Sequence, residues 1–257
     1  IEFLLMNSYF SRFDMFSVLE TNESERAEVP NVAIYKTVSE YDVPLVGKYM
    51  SICSKYEIDL HSGAVLSKQR LADSADCTGD NISDKNLTYG EATSIYWIWK
   101  NINTYDYKGK CHYRRHFRIS DNQFSMMKGQ GIDVVLPLPY ICPKTMLWQY
   151  QRFVGADFAN ETLNVLEKMF PASQFRLIFF GKYAYAYNMV IAKNNVYNEY
   201  CSWLFSVLLE LEKVYLAKIN EFPKRSLAYA SEYLTSAYFL VNSEALKIRH
   251  AEIEINK

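Results

Sequence analysis

YKGKCHYRRHF, residues 107–117, reads as a β-strand that starts half-apolar and runs into a charged end. In α/β sheets, ligands sit beyond the carboxyl ends of the strands, so this end is where chemistry is expected. The flanking segments supply the rest of the sheet. Upstream, YGEATSIYWIWKN (89–101) repeats Ala92, Ile95, Tyr96 and Trp99 at helical spacing, with Thr88 as candidate N-cap. Downstream, IDVVLPLP (132–139) is a strand stopped by prolines. Further out, VAIYKT (32–37) is the kind of β-rich run that opens a Rossmann-like sheet, and it leads into a loop around Pro44 and Gly47. RLIFFG (176–181) and AYNMVIA (186–192) are two more β-rich runs. A helix is expected near 160–170, capped by Asn160 and ended before Pro171, and another over 228–241. The strongest helix covers 195–216, where Tyr200, Trp203, Leu204, Val207, Leu208, Leu211 and Tyr215 lie on one apolar stripe. This alternation predicts a mainly parallel α/β sheet flanked by helices, folded as a single domain over 31–257. Residues 1–30, ending in TNESERAEVP, read as an N-terminal arm.

Composition narrows the function classes. A chain of 257 residues fits one large α/β domain better than two small ones. Lys plus Arg number 28 against 29 Asp plus Glu, so nothing in the net charge points to nucleic acid, and any anion site must be local. The 21 tyrosines suit stacking on sugars and bases, although Tyr fills half-polar cores equally well. Five widely spaced cysteines without a C-x-x-C pair argue for free thiols in a reducing, cytoplasmic setting. No run is long and apolar enough to span a bilayer, and the start lacks a basic export region; beginning at Ile1, it suggests a trimmed start. Neither a G-x-G-x-x-G nor a P-loop motif occurs, which disfavours dinucleotide and P-loop enzymes.

Three clusters carry candidate chemistry. In His112-Tyr113-Arg114-Arg115-His116, adjacent guanidiniums could clamp a diphosphate, since each is permanently charged and presents forked donors. Strand alternation would put His112, Arg114 and His116 on one face and Arg115 on the other, so both arginines reach one ligand only if the strand ends near Arg114. The competing reading pairs one Arg with a carboxylate of the long polar loop 72–88 and merely fastens the fold. That loop is the second cluster: Asp80, Asn81, Ser83 and Lys85 could bond sugar or base hydroxyls, or cap their own turns. In the third, Arg225 precedes Tyr229, Ser231 and Glu232, with Ser231 beginning a helix and Glu232 in its first turn. No D-x-D pair and no Cys/His ligand spacing occurs, so no protein-held metal and no cofactor is expected.

Together TGDNISDKN (78–86), YWIWKN (96–101), YKGKCHYRRHF, DVVLPLP (133–139), YNMVIA (187–192), YCSWLF (200–205) and the R-x-x-x-Y-x-S-E pattern of 225–232 resemble a family of capsular-polysaccharide and exopolysaccharide glycosyltransferases long catalogued as a domain of unknown function. The resemblance covers roughly 32–240. It implies a GT-A-like, cytoplasmic enzyme moving a sugar, in some members galactofuranose, from a nucleoside diphosphate donor such as a UDP-sugar. The acceptor would be a lipid-linked or growing capsular, exopolysaccharide or O-antigen glycan at the inner face of the membrane. It further implies donor-diphosphate roles for His112, Arg114 and Arg115, contacts to sugar or nucleotide from Asn81, Ser83, Lys85 and Asn188, and a catalytic carboxylate at Glu232 or Asp80. The chain departs from the family pattern at Tyr233, where Arg is usual, and at Ala228, where Gly is usual. Sugar-phosphate transfer and non-catalytic carbohydrate binding are the alternatives.

Overall fold

The structure, a computed structural model, describes residues 16–19, 28–40, 42, 52–171 and 174–256. Most of the N-terminal arm and the loop around Pro44 and Gly47 lie outside these residues. In chain order the main elements are β1 (Val32–Val38), β2 (Glu57–His61), β3 (Ser74–Ala75), α1 (Ala92–Asn101), β4 (Tyr107–His112), β5 (Arg115–Phe117), α2 (Asp121–Gly129), β6 (Val134–Pro137), β7 (Tyr140–Ile141) and α3 (Met146–Met169). They continue with β8 (Tyr183–Ala184), β9 (Val190–Lys193), α4 (Asn194–Ala217), α5 (Ser226–Val241), β10 (Ile248–Ala251) and β11 (Ile253–Ile255).

The principal sheet has the order β10-β6-β9-β4-β1-β2-β3, and β9 alone runs against its neighbours on this path. The remaining pairings along it are parallel, with Val32 opposite Tyr107 and Ile34 opposite both Gly109 and Glu57. Gly109 is where β9 comes closest: a Cβ there would stand 2.4 Å from the Val190 carbonyl, so any side chain would push the strands apart.

Strand alternation sorts the core into two layers. Ala33, Tyr35, Val134, Leu136 and Val190 face α1, α3, α4 and α5; Val32, Ile34, Tyr107, Cys111 and Val135 face Phe124 and Met127 of α2. The stripe on α4 is buried as its spacing predicts apart from half-buried Trp203, and each of Leu204, Leu208 and Leu211 is fully covered, worth about 1.5–3 kcal/mol apiece. Two lysines interrupt this apolar sheet face. Lys108 and Lys110, fully buried on β4, must find partners where no water reaches. Lys108 donates to the Ile102 carbonyl at 2.5 Å and Asn198 Oδ1 at 2.8 Å, and burial lowers its pKa to about 8.

Several local expectations give way to tertiary context. RLIFFG forms a helical turn (Phe175–Ile178) and a bend rather than a strand, because Phe175 and Phe179 both turn into the α-layer core. The helix expected from Asn160 starts at Met146, capped by Thr145 Oγ1 accepting the Trp148 amide at 3.0 Å, and kinks at Gly155, whose φ is 82°. Asn160 is therefore interior. Thr88 lies in a separate helical turn (Asn86–Tyr89), and α1 begins after Glu91 without a side-chain cap. Helix α5 starts at Ser226, so Ser231 and Glu232 sit in its second turn, beyond the strongest reach of the helix dipole. Residues 17–19 run alongside β10, with the Leu19 and His250 amides donating to the His250 and Ser17 carbonyls at 2.9 Å each. All five cysteines are free thiols, and among the described residues no helix is long and apolar enough to cross a membrane.

Candidate active site

Strand β4 ends at His112, Tyr113 and Arg114 form a two-residue turn, and β5 returns antiparallel with Arg115 opposite His112. This hairpin meets the condition that alternation imposed, because the strand stops before Arg114 and the arginines are no longer bound to opposite faces. Neither guanidinium has a carboxylate partner among the described residues, and the Nε of each is buried without a hydrogen bond. Among the described residues, then, neither arginine fastens the fold through an ion pair.

A closed circuit of contacts surrounds them. Lys110 Nζ donates to Glu91 Oε2 and, at 3.4 Å, to the Tyr187 carbonyl. Glu91 Oε1 lies 3.1 Å from His112 Nε2, and His112 Nδ1 lies 3.3 Å from an Arg115 nitrogen. A neutral ring carrying its proton on Nε2 satisfies both contacts. The Arg115 guanidinium then lies over the Tyr187 ring, 3.9 Å from its centroid, closing the circuit back to Lys110.

Tyr187 and Asn188 both have positive φ, 70° and 51°. Left-handed backbone is uncommon for a tyrosine and costs on the order of 1 kcal/mol. Here it aims the Tyr187 amide at Glu232 Oε2, 3.2 Å away, while Asn188 is held by Ser231 Oγ at 3.1 Å. Burial and the negative charge of Glu91 raise the Glu232 pKa above the ordinary glutamate range, against the Tyr187 amide and the charges of Lys110 and Arg115. Burial would raise Glu91 too, but the charge of Lys110 and contact with His112 outweigh it and hold Glu91 well below the usual range. Two carboxylates in one site are thus pushed apart, one kept ionised and the other made more basic. Glu91 answers the charge of Lys110, while Arg114 and Arg115 have no ion-pair partner among the described residues.

On the other side of Tyr187 a cleft of about 390 Å³ opens beyond the carboxyl end of β6, lined by Leu138, Tyr140, Tyr187 and Glu252 among others. A larger groove, about 590 Å³, lies at the opposite edge by Tyr105 and Lys193 and includes none of the circuit residues.

The predicted site residues divide accordingly. His112, Arg115, Asn188 and Glu232 are brought together, and Arg114 sits in the adjoining turn. In the 78–86 loop the candidate groups bond within the fold, the exposed Asp80 carboxylate accepting from the Tyr96 hydroxyl at 3.1 Å. The Asp80 backbone is clasped by Asn101 at 3.2 and 2.8 Å, Asn81 caps its own turn through Gly79 and Ser83, Ser83 donates to Asp76 at 2.6 Å, and Lys85 bonds both oxygens of Glu212 at 2.8 Å. Asn101 ends α1 and Glu91 precedes it, so Asp80 is removed from the circuit by the length of a ten-residue helix, about 15 Å. Sequence reasoning missed Glu91, Lys110 and Tyr187. The usable signal was the alternate pair Lys108 and Lys110 in a buried strand, since each buried ammonium obliges an acceptor nearby. Among the described residues one Cys/His/Glu group is close enough to hold a metal: Glu57, Cys111 and His116. The His116 ring already bonds Glu57 at 2.9 Å and Asn256 at 3.0 Å.

A mixed, mainly parallel sheet flanked by helices defines a GT-A-like α/β protein. The chain belongs to the family described as Domain of unknown function (DUF4422), whose model matches residues 47–243. Among solved structures it is similar to the bifunctional glycosyltransferase WbbM in its apo form, at 25% identity and a TM-score of 0.73, covering 88% of this chain and 45% of WbbM. The chain thus spans less than half of that protein. The mannosyltransferase Ktr4p from S. cerevisiae aligns at 13% identity with a TM-score of 0.43, covering 98% of this chain and 79% of Ktr4p. Core-mannan synthase A from Aspergillus fumigatus aligns at 11% and 0.39, covering 95% and 78%. At such scores the likeness is one of outline alone. A search of the curated proteins finds no match.

Proposed function

We propose that this chain is a nucleotide-sugar-dependent glycosyltransferase that moves a hexosyl residue from a nucleoside diphosphate sugar onto a growing surface glycan. The observation that carries the reading is the hairpin: Arg114 and Arg115, without carboxylate partners among the described residues, stand at a strand end, with Arg115 acting electrostatically on Glu232, a carboxylate made more basic by burial. Similarity to WbbM supports the reaction class. UDP-galactofuranose is the first donor to test, on the family resemblance.

In an inverting transfer Glu232 takes the proton of the acceptor hydroxyl as its oxygen bonds to the anomeric carbon. The bond from that carbon to the phosphate oxygen breaks, and its electron pair leaves with the diphosphate. Arg114 and Arg115 receive the developing charge, work that cationic side chains can do without a metal held by protein carboxylates. Lys110 and Glu91 hold Tyr187 and His112 in place. A thermal-shift screen of nucleoside diphosphates tests the donor site, since a ligand at a hundred times its Kd stabilises the fold by about 2.7 kcal/mol. Turnover with UDP-sugars tests the reaction: release of UDP supports glycosyl transfer, whereas release of UMP would identify sugar-phosphate transfer. Sugar binding with no nucleotide response would mark a non-catalytic module. Turnover abolished by EDTA and restored by manganese would contradict charge stabilisation by arginine alone.

A further inference from the structure

Two stretches of this near-neutral chain contain no carboxylate at all, 134–156 and 168–198. The fold lays them side by side. The Leu147 amide donates to the Phe179 carbonyl at 2.7 Å, Met146 to Gly181 at 2.8 Å and Cys142 to Lys182 at 2.7 Å. Their junction presents large apolar side chains to solvent: Leu177 is 67% exposed, Phe180 53% and Phe153 41%. Cations stand among them. Lys144 and Arg152 flank the Trp148 ring, 5.2 and 5.1 Å from its centroid, and Lys182 is exposed at the edge. None of these three has a carboxylate partner among the described residues; Arg176 alone reaches one, Glu167 at 3.8 Å. A second exposed apolar group, Leu209, Leu216 and Ile219, is interleaved with Glu210, Glu212 and Glu221 and so carries the wrong sign for the same partner.

We propose that the surface of Lys144, Trp148, Arg152, Leu177, Phe180 and Lys182 docks the protein on an anionic lipid bilayer. Exposed Phe and Leu enter the headgroup boundary, Trp and the long cationic stems suit the interface, and each cation near an anionic surface raises partitioning about fivefold. Charge complementarity selects the occupant: a protein partner could cover the apolar atoms equally well, but a surface whose two contributing stretches carry cations and no carboxylate, with Glu167 and Asp157 just beyond their ends, matches lipid phosphates. The surface also adjoins the candidate site. Phe153 stacks on Tyr229, with centroids 4.7 Å apart, and Tyr229 lies one helical turn before Glu232 on α5. Resting on the glycosyltransferase reading, the inference names the acceptor class as a lipid-linked glycan, presented with its anchor in the docked bilayer.

The test is flotation of the full chain with vesicles of phosphatidylcholine containing phosphatidylglycerol, and with phosphatidylcholine alone. Binding is expected only to the anionic vesicles, weakening as salt is raised. Leu177→Ser with Phe180→Ser should weaken it tenfold or more, and so should Lys144→Glu with Lys182→Glu; these exposed positions leave melting temperature unchanged, and the second pair keeps the test if the first misfolds. Failure to bind anionic vesicles, equal binding to neutral ones, or full binding by both double variants would overturn the proposal, as would self-association through this surface without vesicle binding. The nucleotide thermal shift should persist in all variants. Its absence from the wild type would sink the donor site while leaving the vesicle result to stand separately.

Discussion

Arg115 lies over Tyr187, its guanidinium carbon 3.9 Å from the ring centroid, and pairs with no carboxylate among the described residues. The ring fixes the cation without neutralising it, which leaves its charge available to an incoming phosphate. Arg115→Ala and Arg114→Ala should each weaken nucleoside diphosphate binding by tenfold or more in calorimetric titration, and Lys should restore only part. Melting temperature should hold or rise, because no ion pair is broken. Unchanged affinity in both Ala variants would remove the diphosphate clamp.

Among the described residues Glu232 accepts a hydrogen bond from the Tyr187 amide at 3.2 Å, which leaves its other oxygen to an incoming hydroxyl. Glu232→Gln keeps the shape and removes the base, so turnover should fall about a hundredfold to ten-thousandfold while donor affinity stays within a few-fold. The folded state favours the protonated form of this group. At neutral pH the carboxylate is therefore a cost, and the Gln variant should melt at the same temperature or higher. Near-normal turnover would eliminate Glu232 as the base.

The pH profile should carry the same signature. Since Glu232 works ionised and its pKa is raised above 4.5, the acid limb of turnover should fall at a pH above the ordinary glutamate value. Glu232→Gln should abolish that limb; a limb that survives unchanged belongs to another group.

Glu91 should behave oppositely, as a stability residue. Its folded pKa is depressed, so its contribution is fully present above the unfolded value near 4.5 and drains away as pH falls below it. Glu91→Gln leaves Lys110 fully buried without its counter-charge, which should cost about 3 kcal/mol at neutral pH. Urea denaturation at neutral pH and again below pH 4 checks both claims: the gap between variant and wild type should narrow in acid. A gap independent of pH would show that packing, rather than the ion pair, is at stake.

Periodicity and turn chemistry are local properties, and they made much legible in the sequence. The strands at 32–38, 107–112 and 134–137, the long helix 194–217 and the last helix 226–241 follow from side-chain patterns that repeat at 2.0 or 3.6 residues. The pair Arg114 and Arg115 could be picked out because two adjacent guanidiniums at a strand end are unusual by themselves. What the sequence could not decide was which charges meet. Glu91 precedes Lys110 by nineteen residues, and Tyr187 follows it by seventy-seven; only the packing of α1 and the left-handed turn against β4 brings them into one circuit. Likewise Asp80 and Lys85 look in sequence like a ligand loop, yet their backbone or side-chain groups are bonded to Asn101 and Glu212, partners supplied by helices that come later in the chain. Hydrophobic pattern fixes elements because burial is a property of each residue. A site depends on pairs, and pairing across distant segments exists only once the sheet and its helices have closed.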